Sequence, residues 1–491
     1  MTLILLLLAP LAEAAVCSLL RSRLWMERVS VVSAAINLVL AGVLVRNVAR
    51  FESVSAFGGF LYSDALSALV VMLTALVCFV CAIYAVGYFR TDLENQSITL
   101  KRLKEYYILT PLFVFALFLV ALANNLGIMW VAIEGSTLAS VLLIAFYNEK
   151  TSLEAAWKYI IIGSIGISMA LFGTLLTYYA ATHVVGTESI EGLNWTRLMA
   201  AAPSLNPKAL RLGFIFILMG YGTKAGIAPM HTWKPDSYSQ APVPSAAILA
   251  AAVLNCALYG ILRFHILTSK CLGPGFSGNL LLWFGLGSLL IATPFILVQT
   301  NFRRLLAYSS IDHTGIMLVG FGVGGSLGPF GALLHMFYHA LAKPLLFFCA
   351  GNVQQQFGTA VLRKVGGGVI HLMPVTGVLF LAGTLAVTGV PPAGLFQSEL
   401  TVLSASVQGR SLWVAGLLVG CVVTIFSGFL YHIGQLVLGA PRTVASPTTE
   451  SWWRLSPMLL IAVLTLLLGF WLPAPLLQLI QGAGRIVTAS P

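Results

Sequence analysis

The sequence predicts an all-α polytopic membrane protein of about fourteen transmembrane helices, and three observations carry that prediction. Hydrophobic residues fill 58% of the 491 positions and charged residues only 9%, more apolar side chain than a globular core can absorb. Apolar runs long enough to cross a bilayer recur along the whole chain. The net charge of +11 comes from basic residues scattered singly through short connectors; without a stripe or tail, this pattern speaks for membrane topology and against nucleic-acid binding.

Taken in order, the runs cover about 2–20, 29–47, 62–88, 106–123, 125–147, 156–182, 209–229, 241–266, 279–299, 304–324, 328–352, 369–405, 411–439 and 455–475. The first has the length of a signal-peptide core, but no basic segment precedes it and Glu13 interrupts it, so it reads as a membrane helix. The fourth and fifth runs meet tightly at Asn124 and Asn125. The twelfth is too long for one straight helix. Alternate connectors carry sixteen Lys and Arg on one side, including Lys101, Lys158, Lys234, Arg303 and Arg442, and nine on the other, including Arg50, Lys208, Arg263 and Arg410. The richer side is expected to be cytoplasmic, with both termini outside.

The longest connector, His183 to Lys208, has room only for a short helix or hairpin. No P-loop or dinucleotide fingerprint occurs, so no cofactor is expected and driving energy would arrive from a partner or an ion gradient. Cys78 and Cys81 form a lone CxxC inside the third run without the further ligands that a metal site needs, and no metal is expected.

The seventh run breaks at TKAGIAP, from Thr223, and the twelfth at TGVPPAG, from Thr388, five spans apart. Glycine and proline at these places predict discontinuous helices and two inverted five-helix repeats, residues 106–266 and 279–439, flanked by three N-terminal helices in 1–105 and by a last helix and tail in 440–491.

Ionisable residues at membrane depth are costly and tend to mark ion paths. Lys224 stands at the first break, followed by His231, Lys234 and Asp236; the alternative is a structural lysine that caps carbonyls freed by the break. Glu134 sits in the middle of the fifth span, where it marks an ion path or holds a proton in a bond to a neighbouring helix. Lys158 opens the sixth span four residues after Glu154 and can pair with it or snorkel to the surface. His335, His339 and Lys343 recur every four residues, a stripe down one helix face that reads as a relay or as histidines bonding across helices. Asp312 and His313 lie mid-span beside them. Glu399 follows the second break as Lys224 stands at the first. Asp64 and His432 are weaker candidates.

The segments TKAGIAPMHTWKPDSYSQAP, LLAYSSIDHTG, HMFYHALAKPLLFF and PPAGLFQSEL, with the mid-span Glu134, resemble the antiporter-like proton-channel subunits of respiratory complex I, Mrp-type cation/proton antiporters and energy-converting hydrogenases. Within that family, YGTKAG followed by SQAP and LNCALYGILR is most similar to the F-component type of hydrogenase 4, of formate hydrogenlyase. The resemblance covers the fourth to thirteenth spans. It implies a proton-translocating subunit of a redox-driven complex in a bacterial or archaeal cytoplasmic (inner) membrane, bound to other membrane subunits and a peripheral redox arm. It also implies a relay through Glu134, Lys158, Lys224, His231, His313, His335, His339, Lys343 and Glu399. Two departures stand out: Asn255 occupies the position of the family's central lysine, and Lys234 replaces the leucine usual in HTWLPD. Alternative readings are a sodium/proton antiporter subunit using the same residues, a haem-bearing subunit with His335 and His339 as ligands, and an anchor that conducts nothing.

Overall fold

The computed structural model describes residues 1–185, 190–409, 411–441 and 450–488. Arg410 and Arg442, two residues of the topology count, lie outside them. The chain folds as helices α1 (Thr2–Leu19), α2 (Arg23–Phe51), α3 (Ala65–Glu94), α4 (Leu100–Leu122), α5 (Leu126–Ile144), α6 (Lys150–Val185), α7 (Pro207–Ala225), α8 (Trp233–Gln240), α9 (Val243–Leu272), α10 (Pro274–Leu297), α11 (Phe302–Val323), α12 (Leu327–Phe357), α13 (Pro374–Val387), α14 (Gly394–Gln408), α15 (Leu412–Leu438), α16 (Trp452–Phe470) and α17 (Ala474–Thr488). The connector after α6 holds the expected short helix, Trp195–Ala201. A small antiparallel hairpin, β1 (Val54–Ala56) with β2 (Leu61–Ser63), was not foreseen.

Every predicted apolar run falls on a helix. Eleven of these helices are long and apolar enough to cross a membrane. The three runs that fall outside the eleven are charged or broken: α7 carries Lys208, Arg211 and Lys224, α11 carries Arg303, Arg304 and Asp312, and the twelfth run is cut into α13 and α14. The protein is therefore a multi-pass, membrane-embedded helical bundle. α9 and α12 are buried throughout their apolar windows and form its centre, while α2, α6 and α16 turn residues such as Val39, Trp157, Phe172 and Leu467 outward, as a lipid-facing layer does.

Helix starts are fixed by side chains that accept from the unpaired N–H groups of the first turn. The tight junction before α5 works because Asn125 accepts from Gly127 and Ile128, at 2.9 and 3.2 Å, while Asn124 donates to the Gly59 carbonyl of the hairpin at 2.7 Å. Asn206 and Asn301 cap α7 and α11 in the same way. Asp64 accepts from Ser67 N at the start of α3 and also closes a two-pronged ion pair with Arg263 of α9, at 2.7 and 2.8 Å. Its place is thus to bind α3 to the central helix.

Three basic residues of the topology count are not in exposed connectors. Lys234, Arg303 and Arg263 are 0%, 1% and 2% exposed, because each has found a buried acceptor. Arg303 donates to the Tyr238 and Ala241 carbonyls and to Gln354. Setting the three aside leaves the bias between the two sides in the same direction. The segment after α16, read as a tail, instead holds the helix α17, whose buried face of Leu479, Ile480, Ala483 and Val487 packs on α3 and α12.

Candidate functional site

α6 and α7 pack closely enough that a Cβ on Gly220 would lie 2.4 Å from the Ala170 backbone nitrogen, the small-residue contact by which membrane helices approach each other. This contact carries Lys224, at the end of α7, into the space between α5 and α6. Its Nζ donates to Tyr159 OH at 2.6 Å and to Thr137 Oγ1 at 2.8 Å, and it lies 5.0 Å from the Tyr159 ring centroid. Glu134 is one turn before Thr137 on α5 and within electrostatic reach of Lys224. Its Oε2 is buried without a hydrogen-bond partner. Among the described residues no ion pair within 4.0 Å joins the two; a neutral hydroxyl stands between them.

The break after α7 is organised by Gly226, at φ +70°, whose N–H bonds the Thr223 carbonyl while that of Ile227 bonds the Gly222 carbonyl. The segment beyond the break adds side-chain donors: Trp233 Nε1 is a second donor to the Thr223 carbonyl at 2.9 Å, and Lys234 Nζ donates to the Ala225 carbonyl at 2.7 Å. A cation at a helix C-terminus also meets the favourable end of the helix dipole. The capping considered for Lys224 is thus performed by Lys234, ten residues on. Lys234 also lies within electrostatic range of His231, His339 and Lys343, between the two ends of the row. His231, in the break itself, is buried with Nδ1 unpartnered.

A second buried lysine is held in a comparable way. Lys343 of α12 donates to Ser309 Oγ at 2.8 Å and to the Leu306 carbonyl at 3.1 Å, both on α11. Asp312, the nearby acid on α11, keeps a buried Oδ1 without a partner, and again no ion pair within 4.0 Å forms. His313 Nδ1 lies 2.9 Å from His335 Nε2, and the His313 and His339 ring centroids are 5.1 Å apart. Both His339 nitrogens are buried and unpartnered. His335 Nδ1 meets Ser398 Oγ of α14 at 2.9 Å, next to Glu399. Lys343, His339, His313, His335 and Glu399 therefore form one cluster. His335 and His339 stand on one helix and both approach His313, a placement that does not put them on opposite faces of a haem.

Other candidates lie apart from this row. Lys158 is half exposed and bonds Glu154 at 2.6 Å and Asp236 at 3.1 Å; its neighbour Tyr159, not Lys158 itself, touches Lys224. Asp236 is shared with Arg304 of α11, so it ties α6, α8 and α11 together at the mouth of the break. His432 meets the Leu297 carbonyl at the end of α10, at 2.9 Å. Asn255, where the resemblance leads one to expect a lysine, is fully buried with both amide atoms unpartnered, just after a π-helical turn, Leu249–Val253. Buried polar atoms of this kind are commonly satisfied by water. Sequence reading missed the hydroxyls of Thr137, Tyr159, Ser309 and Ser398. Only Tyr159 carried a signal, its position beside Lys158.

Fold and site define the class: a multi-pass membrane protein with ionisable groups aligned between two broken helices. Residues 123–427 match the family described as NADH:quinone oxidoreductase/Mrp antiporter, transmembrane, and the chain belongs to that family. It is 37% identical over 424 residues to "Hydrogenase-4 component F homolog" of Methylacidiphilum infernorum, covering 86% of this chain and 88% of that protein. It is 32% identical to NADH-quinone oxidoreductase subunit N of Desulforudis audaxviator, over 72% of each. Among solved structures it resembles a chain of the archaeal membrane-bound sulfane sulfur reductase, with a TM-score of 0.86 at 23% identity, over 99% of this chain and 97% of that one.

Proposed function

We propose that this chain is the proton-translocating membrane subunit of a redox-driven complex of the hydrogenase or quinone-reductase kind. One observation carries the proposal. Two buried lysines, Lys224 and Lys343, are held by neutral hydroxyl and carbonyl groups, while the acid nearest each keeps a bare oxygen outside ion-pair distance. A small approach of carboxylate to ammonium favours the charged amine, and retreat favours release of its proton. Carrying one charge against 100 mV takes about 2.3 kcal/mol, and one pKa unit corresponds to about 1.4 kcal/mol, so ordinary side-chain motion has the required size.

The route runs from the cytoplasmic mouth at Lys158 and Asp236 to Tyr159 and Lys224. It then passes His231, Lys234 and water at Asn255 to Lys343 and His339, and on through His313 and His335 to Glu399 and the outer side. Both termini lie outside, in a bacterial or archaeal cytoplasmic membrane. The inverted repeat is supported by the matched placement of Glu134 and Asp312, and of Lys224 and Glu399, five spans apart. Ammonium and imidazole groups are poor sodium ligands, which favours protons over sodium. Membrane partners and a redox arm are supported by the relatives, which are named as components or subunits.

The test is proton uptake by the complex in sealed vesicles. Lys224→Ala is expected to assemble and to abolish uptake. Assembly with uptake at the full rate would overturn the assignment.

A further inference from the structure

We propose that His313, His335 and Glu399 form a binding site for a divalent transition-metal ion of the zinc class. Their ligand atoms all lie within 4.8 Å of one another, although they come from three helices, α11, α12 and α14. The donor set of two imidazoles and one carboxylate suits zinc and disfavours sodium, magnesium or calcium. With metal–ligand distances of about 2.0–2.2 Å, the three atoms need only draw together by side-chain rotation.

The surroundings prepare the site. Ser398 Oγ donates to the Leu395 carbonyl at 2.8 Å, so its oxygen must accept from His335 Nδ1, 2.9 Å away. That bond places the His335 proton on Nδ1 and leaves its Nε2 lone pair accepting from His313 Nδ1–H at 2.9 Å, so a metal ion takes that lone pair by displacing the His313 proton. Glu399 reaches the cluster because position 389 is a glycine: a Cβ there would sit 2.2 Å from the carboxylate oxygen. A second, independent observation points to a ligand. Asp312, only 3% exposed, lines the same small cavity as His313 and Glu399, with Oδ1 unpartnered. His339, 0% exposed, keeps both nitrogens unpartnered with its ring beside His313. Both stand beside the three ligands without belonging to their group of mutually close atoms.

A bound ion would use the lone pairs of three relay groups at once. The consequence that zinc blocks proton passage rests on the proposed function; the binding itself does not.

The experiment titrates Zn²⁺ into the purified full-length protein after chelator treatment, with Co²⁺ as a spectroscopic stand-in. One ion per chain is expected, with X-ray absorption showing nitrogen and oxygen ligands and no sulfur. His313→Asn and Glu399→Gln should each weaken binding by at least about tenfold, whereas Cys78→Ser with Cys81→Ser should leave it unchanged. Absence of binding, sulfur ligation, or wild-type affinity in both ligand variants would overturn the site. Co²⁺ ligand-field bands in the wild-type protein read the same site should a variant fail to fold: tetrahedral bands support it, and octahedral aqua-type bands oppose it. Bound zinc that leaves proton flux in vesicles untouched would uphold the site and overturn the relay instead.

Discussion

Lys234 Nζ donates to the carbonyl oxygen of Ala225 at 2.7 Å, closing α7 from beyond its own end. The consequence reaches Lys224, one residue before Ala225. Because another cation serves the broken helix, Lys224 is free to turn into the bundle and meet Tyr159 and Thr137. Gly226 makes the arrangement possible, since a Cβ there would lie 2.6 Å from Lys234 Cδ. One lysine secures the break and the other is exposed to the acid on α5.

Lys234→Met removes a buried charge and also the donor for a helix-terminal carbonyl. An unsatisfied buried acceptor costs about 1–3 kcal/mol, so the thermal midpoint of the purified protein should fall. Proton uptake should fall with it, as the charge between His231 and Lys343 is lost. A methionine variant with wild-type midpoint and wild-type uptake would show that Lys234 serves neither purpose.

Tyr159→Phe deletes the shorter of the two hydrogen bonds to Lys224 and leaves the ring in place. Proton uptake should drop by about tenfold, the size of losing a bond of about 1.4 kcal/mol in a rate-limiting step, with assembly unchanged. Thr137→Val should act similarly, because it removes the hydroxyl between Lys224 and Glu134. Lys158→Ala, at a half-exposed position bonded to Asp236, should have the smaller effect. Vesicle assays of the three variants side by side give the ranking, and a larger loss in Lys158→Ala than in Tyr159→Phe would place the working contact at Lys158.

Asp64→Asn leaves Arg263 buried without its counter-charge. Breaking a buried pair in this way costs about 3–5 kcal/mol, so the variant should show low membrane yield. Replacing both partners, Asp64→Leu with Arg263→Met, should recover much of the loss, since no lone charge remains. Yield and thermal midpoint of the single and double variants measure this; equal loss in the two would assign Asp64 a role beyond joining α3 to α9.

The helical layout was legible because a membrane demands long apolar runs, and both breaks were legible because glycine and proline mark them locally. The roles of single polar residues were not. Arg263 and its partner Asp64 are 199 residues apart, and Tyr159 lies 65 residues from Lys224; nothing local in the sequence states that such groups meet. The same gap explains why Lys234, Arg303 and Arg263 were counted as connector charges. Their burial depends on carbonyls and carboxylates of distant helices. The stripe of His335, His339 and Lys343 was visible from spacing alone, whereas the contact from His313 required α11 and α12 to be packed together.

Gly389→Ala tests the second break without replacing an ionisable group. Gly389 has φ +68°, a conformation costing an L-residue about 1–2 kcal/mol, and its added Cβ would fall 2.2 Å from the Glu399 carboxylate. The carboxylate must move, and α14 holds it where Ser398 and His335 fix the neighbouring turn. Proton uptake should therefore fall towards the level of Glu399→Gln, by about tenfold or more for a displacement near 1 Å, with the complex still assembled. The control is Gly287→Ala, at a helical position where a Cβ meets nothing within 4 Å, which should leave uptake unchanged. If Gly389→Ala instead pumps normally while Glu399→Gln does not, the carboxylate works from a position other than the one seen against the break. The exit would then have to be redrawn from Glu399 outward, without the contact to His335 through Ser398.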